Sequence, residues 1–247
     1  MSEECLICGA RLTYLEREEP MTCRLCGRTE NSRTRCEAGC YVCSECHTQG
    51  MDQIVSICLA ERSADPLEIM EKLMSQPFCH MHGPEHHVMV GAALLTAFRN
   101  AGGAVELESA LGEMLSRGRG VPGGACGFWG ACGAGLSAGM FASIVSGSTP
   151  LAGEAWGVSH RMTARSLERI GGIGGPRCCK RDSYLSILEA VDFARETWGV
   201  EMVRREPVCT RCGQNNQCIG KRCPFSPAVR RAQGEAPLLD RTGSLGK

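Results

Sequence analysis

The sequence predicts a mainly α-helical fold with a cysteine-rich region at each end, and three observations carry that prediction. From about residue 48 to 200, apolar residues recur at helical spacing, punctuated by Gly and Pro. Eight of the 18 cysteines lie before residue 48 and four lie after residue 205. The first 47 residues have too few apolar side chains to build a core alone. The 247 residues suffice for one large domain and a small one. The expected division is a head over 1–47, a helical core over 48–205, a clip over 206–232 and a disordered polar tail over 233–247.

The head begins with two knuckles, Cys5-Leu6-Ile7-Cys8-Gly9 and Cys23-Arg24-Leu25-Cys26-Gly27. In each, the Gly lets the backbone turn so that N–H groups face the thiolates. Two Cys-x-x-Cys-Gly knuckles separated by 14 residues are the signature of a zinc ribbon, with a small β/loop fold. A redox dithiol needs only one such pair and a thioredoxin-like context, which is missing. Cys36, Cys40, Cys43 and Cys46 supply a second tetrahedral set, so the head is expected to hold two zinc ions. An iron–sulfur cluster is the alternative there. Sequential and interleaved pairing of the eight thiols are both compatible with the spacing. A head of this kind folds only with its metal bound.

Residues 48–75 read as helical, with Cys58 in an apolar stripe as a buried inert thiol and Asp65-Pro66 as the cap and first residue of a second helix. The next stretch, Cys79-His-Met-His82-Gly83-Pro84-Glu85-His86-His87, holds four of the six histidines. Gly83-Pro84 reads as a helix start and Glu85 as a first-turn residue favoured by the helix dipole. His86 and His87 in that turn are expected to stay neutral, the form that binds metal. Two capping and two loop histidines are the bland alternative. A helix follows to Ala101, then another over 105–117 that Gly118 is expected to stop.

Residues 120–153 contain no charge, yet their Gly, Ala and Ser content suits a tightly packed buried helix better than a membrane span. Within them, the Gly-rich loop around Cys126 and a helix start at Cys132 would let both thiols face one point; two buried thiols on a small-residue helix is the plain alternative. His160, on a predicted helix over 153–170, reads as a satisfied core residue. Gly171 to Gly175 resembles half a nucleotide loop, but it lacks the Lys-Ser/Thr and the preceding strand of a phosphate loop.

Gly175-Pro176-Arg177-Cys178-Cys179-Lys180-Arg181 repeats the Gly-Pro pattern, with two thiols at a helix start beside three cations. Arg177 and Lys180 are expected to favour thiolate or bind an anionic substrate. His82, His86, His87, Cys126, Cys132, Cys178 and Cys179 are therefore the candidate reactive centre. His86 or His87 is expected to share a metal with Cys178 or Cys179, with the Cys126 loop closing the third side. In the clip, Cys209, Cys212, Cys218 and Cys223 form a further four-thiolate set. Cys223-Pro224 leans towards an iron–sulfur cluster, while Cys209-x-x-Cys212-Gly213 is equally a zinc feature.

Together, His-Gly-Pro-Glu-His-His, Cys-Gly-x-x-Gly-x-Cys-Gly, Gly-Ser-Thr-Pro-Leu and Gly-Gly-Pro-Arg-Cys-Cys-Lys-Arg resemble a cysteine-rich domain-of-unknown-function family of anaerobic bacteria and archaea, over residues 36–225. The resemblance implies a metal-dependent function. Members often carry His where this chain has Cys40, a swap that suits a zinc ligand. The pair Cys178-Cys179 followed by Cys209-x-x-Cys212 also echoes the cysteine-rich domains of heterodisulfide reductases, although Lys180 replaces the Gly those domains carry after Cys-Cys.

Charge narrows the function classes. The 27 basic and 27 acidic residues cancel, so no global field draws the chain to nucleic acid or an anionic membrane. Aromatics at 5% supply little base-stacking surface. The N-terminal residues lack a signal pattern, so a cytoplasmic setting with reduced thiols is expected. The leading expectation is an anaerobic redox or sulfur-chemistry enzyme with a small-molecule or sulfur-containing substrate and a redox partner protein. The rivals are a zinc-ribbon adaptor and a metal or cluster carrier.

Overall fold

The computed structural model describes residues 5, 7–8, 10–47 and 50–232. The expected tail over 233–247 lies outside the described residues. Among them the fold is mainly helical, as predicted, with ten α-helices and a single two-stranded sheet.

The sheet belongs to the head. Strands β1 (Leu12–Thr22) and β2 (Thr29–Cys36) pair antiparallel, from Leu12 opposite Cys36 to Thr22 opposite Thr29, with a register shift between Tyr14 and Glu19. The hairpin places Cys36 beside the first knuckle and the second knuckle at its turn. The Arg24 N–H donates to the Tyr41 carbonyl (2.9 Å), bringing the chain back to that turn before the one-turn helix α1 (Ser44–His47).

The core is built around α4 (His86–Asn100), which is buried on every side from Val88 to Phe98. Around it pack α2 (Gln53–Ala60), α3 (Pro66–Met74), α5 (Leu107–Arg119), α7 (Gly133–Val145) and α9 (Cys179–Trp198). The one-turn α6 (Ala125–Phe128) precedes α7, and α8 (Gly153–Ile173) lies against α7 and α9. Met89, Leu94, Leu95, Ile187 and Leu188 are fully buried, each such aliphatic side chain stabilising the fold by about 1.5–3 kcal/mol. Asp65 caps α3 as predicted, its Oδ1 accepting from the N–H groups of Leu67 (2.9 Å) and Glu68 (3.2 Å). Cys58 is buried in this core.

Three local expectations need correction. Gly118 does not stop α5. It sits inside the helix where α5 crosses α4, and a Cβ there would fall 2.5 Å from Val88 Cγ2. His160 is exposed rather than in the core; one turn after Trp156 on α8, its ring stacks on the indole at 3.7 Å. Pro176 does not start a helix. The Gly175–Pro176 bond is cis, Cys178 is extended at the cap, and α9 begins at Cys179.

The clip runs through two short 3₁₀ turns, Cys212–Gln214 and Gly220–Arg222, to α10 (Pro227–Ala232). It is anchored to the core by a buried set of charges. Arg211 Nη1 donates to Glu71 Oε2 (2.6 Å), the Tyr184 hydroxyl donates to Glu71 Oε1, and Phe225 packs edge-on against Tyr184. No described helix is long and apolar enough to cross a membrane.

Candidate metal centres

The head holds two four-cysteine groups, and their pairing is interleaved. Cys5 and Cys8 join Cys36 and Cys40, while Cys23 and Cys26 join Cys43 and Cys46. Sulfur separations of 3.7 Å (Cys8–Cys36), 3.8 Å (Cys8–Cys40) and 3.6 Å (Cys26–Cys43) are the edges of such a group. A tetrahedron of thiolates about 2.3 Å from one ion has edges of about 3.8 Å. The geometry is thus that of single-ion sites. Backbone N–H groups point at the sulfurs, from Cys40 to Cys36 Sγ (3.1 Å) and from Cys43 to Cys23 Sγ (3.3 Å). Burial opposes ionisation of Cys23, but the N–H groups of Cys43, Cys26 and Leu25 outweigh it and bring the thiol down to about 6. Gly27 has the left-handed φ of 74° that the knuckle requires.

The clip differs. Cys209, Cys212, Cys218 and Cys223 line one small pocket, joined there by Cys178 from the start of α9. Among the described residues, no three of these sulfurs come within 4.8 Å of one another. They share a pocket without the close tetrahedral contact of the head. Arg181 and Lys180 also line this pocket.

Cys179 turns the other way. It lines a cleft of about 400 Å³ between the head and the core, with His82, His87, Cys126 and Arg177. The head closes one side: Tyr14 meets Phe128 edge-on at 6.2 Å, Arg33 lies over Phe128 (5.1 Å) and Arg177 over Tyr14 (5.5 Å). The two Gly-Pro segments do meet here, because Gly83 and Pro84 line the same cleft as Arg177 and Cys179. His87 Nδ1 donates to the Val121 carbonyl (3.1 Å), which leaves Nε2 as the lone-pair nitrogen. Its ring lies so close over Gly133 that a Cβ there would fall 2.0 Å from Cδ2. Cys132 caps α7 beside it, its thiol directed at Asp182 Oδ2 (3.8 Å). The lowered thiol values expected for the pair at 178–179 are not found. Burial pushes both up, outweighing Arg177 at Cys179 and the Arg181 N–H at Cys178.

His86 and Lys180 lie behind this cleft. His86 donates through Nδ1 to the Gly83 carbonyl (2.9 Å), and its Nε2 faces Lys180 Nζ at 2.9 Å. Lys180, 2% exposed, also reaches Cys79 Sγ (2.9 Å) and the His80 carbonyl (2.7 Å). Both imidazole nitrogens of His86 are engaged, and the Lys180 charge serves Cys79 instead of Cys178 or Cys179. Burial, then Lys180, pushes His86 down to about 3, so it is neutral as expected, though not because of the helix dipole. His82 Nε2 faces Asn215 Oδ1 of the clip at 3.4 Å.

Sequence reasoning passed over Cys79, Glu85 and Asp182 as functional groups, and also His47 and His80, whose rings meet at 4.8 Å. The available signal was position. His47 directly follows a ligand cysteine, and Cys79 and His80 open the histidine-rich stretch.

Fold and sites define a helical, cysteine-rich protein whose thiol clusters have the geometry to hold metal ions. The chain belongs to the family of unknown function DUF5714, which matches residues 54–226. No curated protein and no solved structure matches the chain.

Proposed function

We propose that this chain is a cytosolic metal-dependent enzyme of redox or sulfur chemistry, with zinc in the two head sites and an iron–sulfur cluster in the clip. The observation that carries the reading is the division of one cysteine pair between two pockets. Cys178 lines the clip pocket with four other thiols, and Cys179 lines the cleft with His82, His87, Cys126 and Arg177. A cluster held by Cys209, Cys212, Cys218 and Cys223 would supply one-electron chemistry one residue away from the cleft. Arg177 would hold an anionic, sulfur-containing substrate there, with Cys179 as the thiol that meets it. Cys126 and His87 line the cleft with Cys179, and Cys132 caps α7 beside His87. His86 and Lys180 position Cys79 and the Gly83 turn. A redox partner protein would deliver the electrons.

A zinc-ribbon adaptor without chemistry gives no reason for dividing the pair in this way. The test is reduction of a small disulfide by anaerobically purified, chemically reduced protein. Two electrons, passed one at a time through the clip cluster from an excess of the chemical reductant, and two protons convert the disulfide to two thiols. Cys179→Ser should abolish the reaction while leaving iron content intact, and Cys212→Ser should abolish both. Undiminished activity in Cys179→Ser overturns the reading.

A further inference from the structure

We infer a third, mononuclear metal site at the junction of head and core, formed by His47, His80 and Glu85. It goes beyond the function proposed above and does not depend on it. One ligand atom from each of the three residues lies within 4.8 Å of the other two. The three come from separate places: His47 ends α1, His80 lies in the loop after α3, and Glu85 stands at the entry to α4.

The second observation is what these side chains lack. Glu85 is 0% exposed, and its Oε2 has no hydrogen-bond partner. The Nδ1 atoms of His47 and His80 are also buried without a partner. Glu85 Oε1 accepts from the His80 N–H at 2.7 Å, which fixes the carboxylate in place. Among the described residues, the basic groups within 4.0 Å of Glu85 are two imidazoles, His80 Nδ1 at 3.5 Å and His86 Nδ1 at 3.7 Å. A buried carboxylate with no Lys or Arg partner calls for a cation, since an uncompensated buried charge is strongly destabilising. Two unpartnered imidazoles aimed at the same place supply the remaining ligands.

The neighbouring group shows how this protein meets the same need elsewhere. Cys79, Glu85 and His86 form another ligand-like set, but there Lys180 Nζ stands 2.9 Å from both Cys79 Sγ and His86 Nε2. In that set an ammonium stands among the ligand atoms, while among the described residues no Lys or Arg lies within 4.0 Å of Glu85. Two imidazoles and one carboxylate suit zinc or ferrous iron and leave coordination positions open. His47 also lines the cleft, so the ion would be reached from the cleft.

The test uses the full-length protein. X-ray absorption at the zinc edge, after dialysis against zinc sulfate alone, should show nitrogen and oxygen scatterers beside sulfur. Total zinc should exceed the all-sulfur sites by about one ion per chain. Glu85→Gln and His80→Ala should each lose about one equivalent and the nitrogen/oxygen signal, with the sulfur signal retained. A purely sulfur-coordinated spectrum of the unmodified protein overturns the site, and so does unchanged zinc content in both variants. The measurement on the unmodified chain does not depend on whether a variant folds, and a missing clip cluster or inactive Cys179 would leave it unaffected.

Discussion

The head and the clip use the same side chain to different ends. In the head, sulfurs approach to 3.6–3.8 Å, in two interleaved groups on a hairpin with few buried apolar residues. In the clip, five thiols surround a pocket without such approach, and the segment is latched to a finished helical core by Arg211, Glu71 and Tyr184. The sulfurs of the head approach as the ligands of a single ion do, and among the described residues those of the clip do not. The clip packs against the main hydrophobic core, whereas the head has only a small cluster of its own. Interleaving ties both groups to the same hairpin, because Cys40 and Cys43 belong to different groups.

The largest expected effect breaks the head alone. Binding at structural four-thiolate sites contributes about 10–16 kcal/mol to folding in small zinc-dependent domains. Cys26→Ser should lose about one metal equivalent by native mass spectrometry. Limited proteolysis should then cut within residues 10–47 while a fragment from α2 to α9 persists. Full metal content with normal protease resistance would remove the distinction between head and core.

Next comes the latch. Arg211→Ala leaves the Glu71 carboxylate, 2% exposed, without its cation. Breaking a buried pair from one side costs about 3–5 kcal/mol, which urea unfolding should read. Iron bound by the clip should fall while zinc in the head is unchanged. A loss below about 1 kcal/mol would mean that the pair behaves as an exposed one.

Gly133→Ala probes the cleft more gently. The added methyl must displace the His87 ring, at about 1–3 kcal/mol for an overpacked contact. The His87 imidazole resonances should shift while those of the head stay in place. Unmoved His87 resonances would show that the ring is not held against α7.

The smallest effect is electrostatic. Burial pushes Glu61 up, but Lys72 at 2.7 Å and the N–H groups of Ser63 and Arg62 hold it below its ordinary 4.5. A depressed carboxylate stabilises the fold above that value, and the contribution is lost as pH falls below it. Lys72→Met should weaken this acid-side dependence and lower stability near neutral pH by under about 1 kcal/mol, read as melting temperature against pH. An identical acid profile would contradict the assignment.

Much of this was legible in the sequence because the signals are local. Helical periodicity located α2 to α5, α8 and α9, small-residue composition located α7, Asp65-Pro66 located a cap, and Cys-x-x-Cys-Gly spacing located the knuckles. What the sequence left open depends on chain crossings. Interleaved pairing is set by the β1–β2 register, which spacing does not encode. The pairing of Lys180 with Cys79, a hundred residues away, and the division of Cys178 from Cys179 depend on how α9 docks against α4 and the clip. The expected low thiol values at Cys178 and Cys179 were reversed by burial, a quantity the neighbouring cations do not reveal.

The central proposal is that the head holds single ions and the clip holds a cluster. Iron and zinc analysis of anaerobically purified protein, with electron paramagnetic resonance after reduction, tests it most directly. The account predicts about four irons per chain and a paramagnetic cluster signal, both lost in Cys212→Ser with zinc unchanged. Iron-free protein with zinc in the clip and no signal after anaerobic purification would contradict it.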